Sequence, residues 1–135
     1  RLFELGEQVY RREAHCITCH QADGQGLPAA QFPPIAKSNW VSGNPERLIR
    51  LSLHGLMGPI EVNGVKYPGQ VPMTAFKGLS DDELAGVLTY VRNSFGNVAA
   101  PIQPAQVASV RAATKDRASF YTPDELLKEF PDAKK

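Results

Sequence analysis

Apolar positions along this chain recur mainly at helical spacing. Leu2, Leu5, Val9 and Tyr10 predict an amphipathic helix over roughly residues 2–14. Gly6 lies one turn before Tyr10, where a missing side chain lets a second helix approach closely. Asn44-Pro45 reads as an N-cap and first helical residue. Leu48, Ile49, Leu51 and Leu53 continue that helix and Gly55 ends it. The period then changes to two: Ile60 to Tyr67 alternates around Asn63-Gly64, the signature of a hairpin with a type I′ turn. Ser80-Asp81-Asp82-Glu83 is a capping box. It opens a helix whose buried face carries Leu84, Val87, Leu88 and Val91, ending near Ser94–Asn97. Tyr90 is placed to meet the first helix near Gly6 and Tyr10. Beyond Asn97, Pro101 and Pro104 mark a linker or strap, residues 106–113 form a short helix, and Thr122-Pro123 starts another that runs to Phe130. Phe120, Tyr121, Leu126, Leu127 and Phe130 are too apolar for a free tail, so they pack on the preceding domain or dock on a partner.

Between these elements lies the chemistry. Cys16-Ile17-Thr18-Cys19-His20 has two thiols three residues apart and a histidine directly after them. This is the attachment signature of a c-type haem, with a thioether from each thiol and His20 as proximal ligand. Three rival readings are weaker. A thioredoxin-like pair needs a strand before the motif, and none is predicted. A structural zinc site needs four Cys or His ligands in spaced pairs, and after the two cysteines only His15, His20 and His54 remain. A disulfide would leave His20 unexplained.

Residues 21–28 are rich in turn formers and read as a loop, without the Lys-Ser/Thr that a phosphate site would require. Phe32-Pro33-Pro34-Ile35 is stiff and apolar. A ligating imidazole needs an acceptor for its second nitrogen. The Pro33 carbonyl suits that role, although a plain loop turn fits the spacing equally. Trp40 requires a partner for its N–H, either a haem propionate or a backbone carbonyl. Arg47 and Arg50 could pair with a propionate; a solvated helix face is the preferred reading. His54 could be a sixth iron ligand, but a helix-capping or surface role is preferred. Of the two methionines, Met57 beside Gly58-Pro59 reads as packing. Met73, in the proline-bounded segment Gln70–Phe76, is the favoured sixth ligand.

Composition narrows the picture further. The chain has 135 residues and a formal net charge of +1; two propionates would take it slightly negative. Lys and Arg are scattered without a basic stripe, which argues against nucleic acid as partner. No apolar run is long enough to span a membrane, and both cysteines belong to the haem motif. No signal peptide is visible, and the first residue is Arg1 rather than Met. Covalent haem attachment takes place outside the cytoplasm, so the expectation is an exported, periplasmic mature protein or an excised domain.

The Cys16–His20 motif, the Phe32–Ile35 segment, the Val71-Pro72-Met73 loop and the helix from Leu79 to Asn97 together resemble a class I mono-haem cytochrome c, in the order that family uses. The likeness covers about residues 1–97. It implies a mostly α fold with three main helices around covalent haem c, one short hairpin over a haem edge, and a C-terminal extension at 98–135. It also implies six-coordinate iron held by His20 and Met73, a first and last helix crossing near a glycine and an aromatic, the Pro33 carbonyl on His20, and Ile35 against the ring. A narrower likeness, carried by His54-Gly55-Leu56, the hairpin and Leu88–Ser94, is to haem domains fused to periplasmic oxidoreductases such as copper nitrite reductases and quinoprotein-like dehydrogenases. Two features depart from the common pattern: Met-Pro becomes Met73-Thr74 with Pro72 on the other side, and the chain continues past Asn97. The implied function is single-electron transfer with a redox partner protein or a fused dehydrogenase or reductase domain, without catalysis in this chain. The rival is a haem enzyme or gas sensor with an open sixth position.

Overall fold

The computed structural model describes residues 2–11, 38–62, 64–67, 75–95, 97–117 and 119–131. In chain order they form α1 (Leu2–Arg11), α2 (Asn39–Ser42), α3 (Pro45–His54), β1 (Ile60–Val62), β2 (Val65–Tyr67), α4 (Asp81–Arg92), α5 (Pro104–Ala113) and α6 (Pro123–Glu129). The described fold is therefore mostly helical with one antiparallel hairpin, as expected for a class I cytochrome c.

The crossing of α1 over α4 organises the core. Val9 and Tyr10 of α1 and Leu84, Ala85, Val87, Leu88 and Val91 of α4 are all buried. Gly6 faces Gly86 so closely that a Cβ at Gly6 would overlap the Gly86 carbonyl and lie 2.7 Å from Tyr90 Cβ. Around the crossing the rings of Tyr10, Tyr90 and Phe95 gather with centroids 5.4–5.8 Å apart, and Phe3 tilts against Tyr90 at 5.1 Å. Offset and edge-on contacts at this range suit the ring quadrupoles. α4 begins in the expected capping box: Glu83 N–H donates to Ser80 Oγ, and Ser80 N–H donates to Glu83 Oε1. It ends at Arg92, slightly earlier than the pattern predicts, because Asn93 N–H folds back to Tyr90 O. Phe95 then takes a left-handed φ of 58°, which costs energy for a bulky residue. Its contacts with the two tyrosine rings offset that cost.

α3 is capped as expected by Asn44, whose Oδ1 accepts from Glu46 N–H at 2.9 Å and Arg47 N–H at 3.3 Å, and it stops at Gly55 with φ 82°. The hairpin pairs Ile60 with Tyr67, Glu61 with Lys66 and Val62 with Val65. Gly64 supplies the positive φ of 81° that its tight turn requires.

The chain past Asn97 does not leave this body. Thr89 Oγ1 donates to Ile102 O and accepts from Ile102 N–H, which seats Ile102 in the core. α5 buries Val107 and Val110, and α6 buries Leu126. Between them Tyr121 N–H bonds Gly55 O and Met57 N–H bonds Tyr121 O, a short parallel bridge onto the end of α3. Of the apolar tail residues, Tyr121 and Leu126 are buried and Phe130 packs against the core, whereas Phe120 and Leu127 stay exposed.

Gly6→Ala is expected to destabilise the protein by about 3 kcal/mol or more, because the added methyl meets backbone that cannot rotate away. Denaturant-induced unfolding of the variant beside the wild type measures it, and Gly64→Ala, whose Cβ meets nothing, serves as the contrast for a purely conformational cost.

Candidate functional site

Cys16, Cys19, His20, Pro33, Ile35 and Met73 lie outside the described residues. The structure describes the frame on either side of them. α1 leads toward the thiol motif, and α2 comes after the Phe32–Ile35 segment. Phe76 and Leu79 come after Met73 in the chain and pack against the core.

Trp40 is the one predicted site residue within the frame. It is buried, and its Nε1–H donates to Glu61 O at 3.1 Å, so of its two candidate partners the backbone carbonyl is the one it takes. This bond ties α2 to the hairpin. The Arg47 guanidinium lies 4.8 Å from the Trp40 ring centroid, within cation–π range.

The structure corrects three sequence expectations. Arg47 and Arg50 do not form a solvated face. Arg47 is only 1% exposed and donates from Nη1 to Phe130 O at 3.3 Å. Arg50 donates to Glu46 Oε1 at 2.8 Å and to Tyr121 Oη at 3.0 Å, beneath the Phe130 ring. The cause is the extension, which covers the face of α3 that an isolated helix would show to water. His54 is likewise no surface residue. It is buried, edge-on to Tyr121, with Nε2 2.7 Å from Thr114 Oγ1. Met57, expected to pack, is 46% exposed; its backbone serves the Tyr121 bridge while its side chain points outward.

The tautomer of His54 is set by its neighbour. The Thr114 hydroxyl donates its single proton to Val110 O at 2.8 Å. The oxygen must therefore accept from His54, which makes Nε2 the protonated nitrogen. Nδ1 is then a buried lone pair with no hydrogen-bond partner among the described residues. Burial, reinforced by the positive charges of Lys77, Arg117, Arg50 and Arg111, holds the imidazole pKa below its usual range.

Two further arginines matter that the pattern along the chain did not single out. Arg92 is buried and donates to three carbonyls, those of Val41, Gly43 and Ala100, at 2.8–3.1 Å. It joins α4 to the end of α2 and to the linker before α5, and burial pushes its pKa down. Its place one turn after Leu88, on the buried stripe, was the available signal. Arg117 forms a paired contact with Glu125 at 2.9–3.0 Å and stacks 3.6 Å from the Tyr121 centroid; its hydrogen bonds hold the Glu125 carboxyl below the usual carboxylate range.

The residues suit a covalently bound haem. Among the described residues no group of three or more His, Cys, Asp or Glu converges as a metal site, so nothing there competes with the two thiols and imidazole of the Cys16–His20 motif. Trp40 and Arg92 donate to backbone carbonyls and His54 bonds Thr114 through Nε2, contacts that tie the elements of the helical frame together. Such a frame with such a motif defines a haem-c protein. The chain belongs to the cytochrome c family: the family model described as Cytochrome c matches residues 3–95. The protein accordingly carries covalently bound haem c. It is 38% identical over 128 residues to a cytochrome c-552 of Thermus thermophilus, an alignment that spans 92% of both chains and so reaches well into the extension. It is also 32% identical to a fructose dehydrogenase cytochrome subunit of Gluconobacter japonicus, over 76% of this chain and 21% of that one. A quinone-type alcohol dehydrogenase cytochrome c subunit of Gluconacetobacter polyoxogenes is 36% identical over 70% of this chain and 19% of its own. The likeness to dehydrogenase-associated haem domains is thus found. No helix among the described residues is long and apolar enough to cross a membrane.

The lowered pKa of His54 predicts an acid-sensitive fold. Above about pH 6.5 the ring is neutral in both folded and unfolded chains and stability is at its plateau. Below that value the unfolded chain takes up a proton that the native chain refuses, so stability falls until the pH drops beneath the folded pKa. Thermal unfolding of the haem-loaded protein from neutral to mildly acidic pH should show this decline, and His54→Gln, which cannot titrate but can still donate to Thr114, should flatten it.

Proposed function

We propose that this protein transfers single electrons through one haem c held covalently by Cys16 and Cys19 and ligated by His20 and Met73. The observation that carries the reading is the Cys16-Ile17-Thr18-Cys19-His20 motif within a span that matches the cytochrome c family. When bound, the haem supplies the reversible ferric–ferrous couple. The rest is the work of the chain. His20 donates one imidazole nitrogen, and the Pro33 carbonyl accepts from the other, which fixes the ring and raises its basicity. Met73 offers a soft, neutral thioether that favours the ferrous state, placing the potential in the upper part of the range of about 0.8 V that axial ligands span. Ile35 would pack on the haem. Iron held by two side chains of the chain itself would exchange electrons without taking up or releasing a ligand, and this chain would perform no catalysis itself.

Residues 1–97 form the haem-binding unit in this reading and 98–135 an extension folded onto it. The match to a cytochrome c-552 across 92% of both chains supports a free-standing carrier. The matches to dehydrogenase cytochrome subunits support a second form of the same function, as the electron-transfer part of a larger exported oxidoreductase. In either form the partner is a redox protein that meets the haem edge in a small, transient contact, outside the cytoplasm.

The test is the absorption spectrum of ferric and ferrous protein, wild type and Met73→Ala, with carbon monoxide added to each. The wild type should be low spin, show the weak sulfur-to-iron charge-transfer band and ignore the gas. Met73→Ala should lose the band and bind it. A high-spin wild type that takes up carbon monoxide would instead mean an open sixth position and a haem enzyme or gas sensor.

A further inference from the structure

Arg111 lies on α5, in the extension, yet every hydrogen bond the structure gives its guanidinium reaches back across the fold to one short segment. Nη1 donates to Lys77 O at 3.0 Å, Nη2 to Leu79 O at 2.7 Å and Nε to Asp81 Oδ1 at 2.9 Å. Lys77 returns the contact, its Nζ donating to Arg117 O at 3.2 Å. From the other side Phe76 N–H is held by Ser52 O of α3 at 2.9 Å, and Leu79 N–H closes a turn onto Phe76 O. Residues 76–81 are thus clamped between α3 and the extension. In sequence this clamped segment begins three residues after Met73.

Neither Lys77 nor Gly78 is buried, and Leu79 is only partly so. Packing alone therefore holds this stretch weakly. A planar guanidinium that meets two carbonyls and a carboxylate at once restricts it far more than a single point charge would. A loop whose exit is fixed has fewer conformations to explore, so the side chain just upstream leaves its position less often.

We infer that Arg111 is a positioning residue for the sixth iron ligand: the extension, through this one side chain, braces the exit of the Met73 loop and keeps outside ligands from replacing the thioether. The inference rests on the proposed ligation of the iron by Met73. It makes the extension part of the redox site rather than an appendage that only adds buried surface.

The experiment is a titration of the full-length ferric, haem-loaded protein with imidazole, monitoring loss of the sulfur-to-iron charge-transfer band. Arg111→Ala is expected to lower the half-displacing imidazole concentration about tenfold, the equivalent of one charge-assisted hydrogen bond. Arg111→Lys keeps a charge beside Asp81 but cannot span both carbonyls, and should shift in the same direction by less. Tyr121→Phe is the control, since it removes the hydroxyl to which Arg50 donates and so loosens the extension away from residues 77–81. An Arg111→Ala protein that resists imidazole as the wild type does overturns the inference. So does a Tyr121→Phe protein that yields as readily as Arg111→Ala, because the effect would then be general loosening. A wild type without the band overturns the Met73 assignment and the inference with it, an outcome distinct from the other two.

Discussion

The contact of Gly6 with Gly86 decides how close α1 and α4 can come, and the rest of the fold is arranged around that distance. Two backbones this near leave no room for side chains between them, so the larger groups are pushed to the rim. There Tyr10, Tyr90 and Phe95 form an aromatic collar, and Phe95 accepts a left-handed backbone to join it. The thiol motif comes directly after α1 in the chain, while α4 comes after the Met73 loop. The crossing of α1 and α4 therefore relates the elements that flank, in sequence, the two stretches proposed to supply the haem ligands.

A second layer depends on the first. α4 presents Thr89 and Arg92 to the linker, and these two side chains commit three backbone groups of the linker, at Ala100 and Ile102. The linker so directed lays α5 and α6 over α3. This explains why most of α3 is buried and why Arg47, Arg50 and His54 are covered, while Glu46 stays exposed. Arg47, Arg50 and His54 each find a partner in the extension: Phe130 O, Tyr121 Oη and Thr114 Oγ1. Buried cations are tolerable because their donors meet carbonyls and hydroxyls and their flat faces meet rings. A neutral histidine serves the same interface only while it remains neutral.

The match to a cytochrome c-552 over most of both chains fits this view of the extension as an integral part of the molecule. The family model matches residues 3–95, and the chain continues past that span. Besides its contacts with α4 and with the arginines of α3, that continuation reaches back to the end of α3, to the segment after Met73, and to the turn that opens α3 at Asn44, whose Nδ2 donates to Pro131 O.

The elements themselves were legible in the sequence because their signals are local. The Asn44 cap, the Ser80 capping box, the Thr122-Pro123 start and the Asn63-Gly64 hairpin each depend on hydrogen bonds among residues a few positions apart, so neighbours in the chain suffice to specify them. The haem attachment motif is legible for a similar reason: its two cysteines and its histidine fall within the five consecutive residues Cys16 to His20. The meeting of Tyr90 with Gly6 and Tyr10 was legible too, from a gap and an aromatic on facing periodic stripes. What the chain order could not convey was which faces the extension would cover. Helical periodicity divides residues into apolar and polar sides but does not say that a second polar side will be capped by a distant segment. Hence Arg47 and Arg50 read as a solvated face and His54 as a helix-capping or surface residue, yet Arg47 and His54 are buried and Arg50 is largely covered; Met57 reads as packing and is exposed, and Arg111 gave no sign of its reach to residues 77–81. Those outcomes depend on where remote carbonyls and rings come to rest, and only the closed tertiary structure decides that.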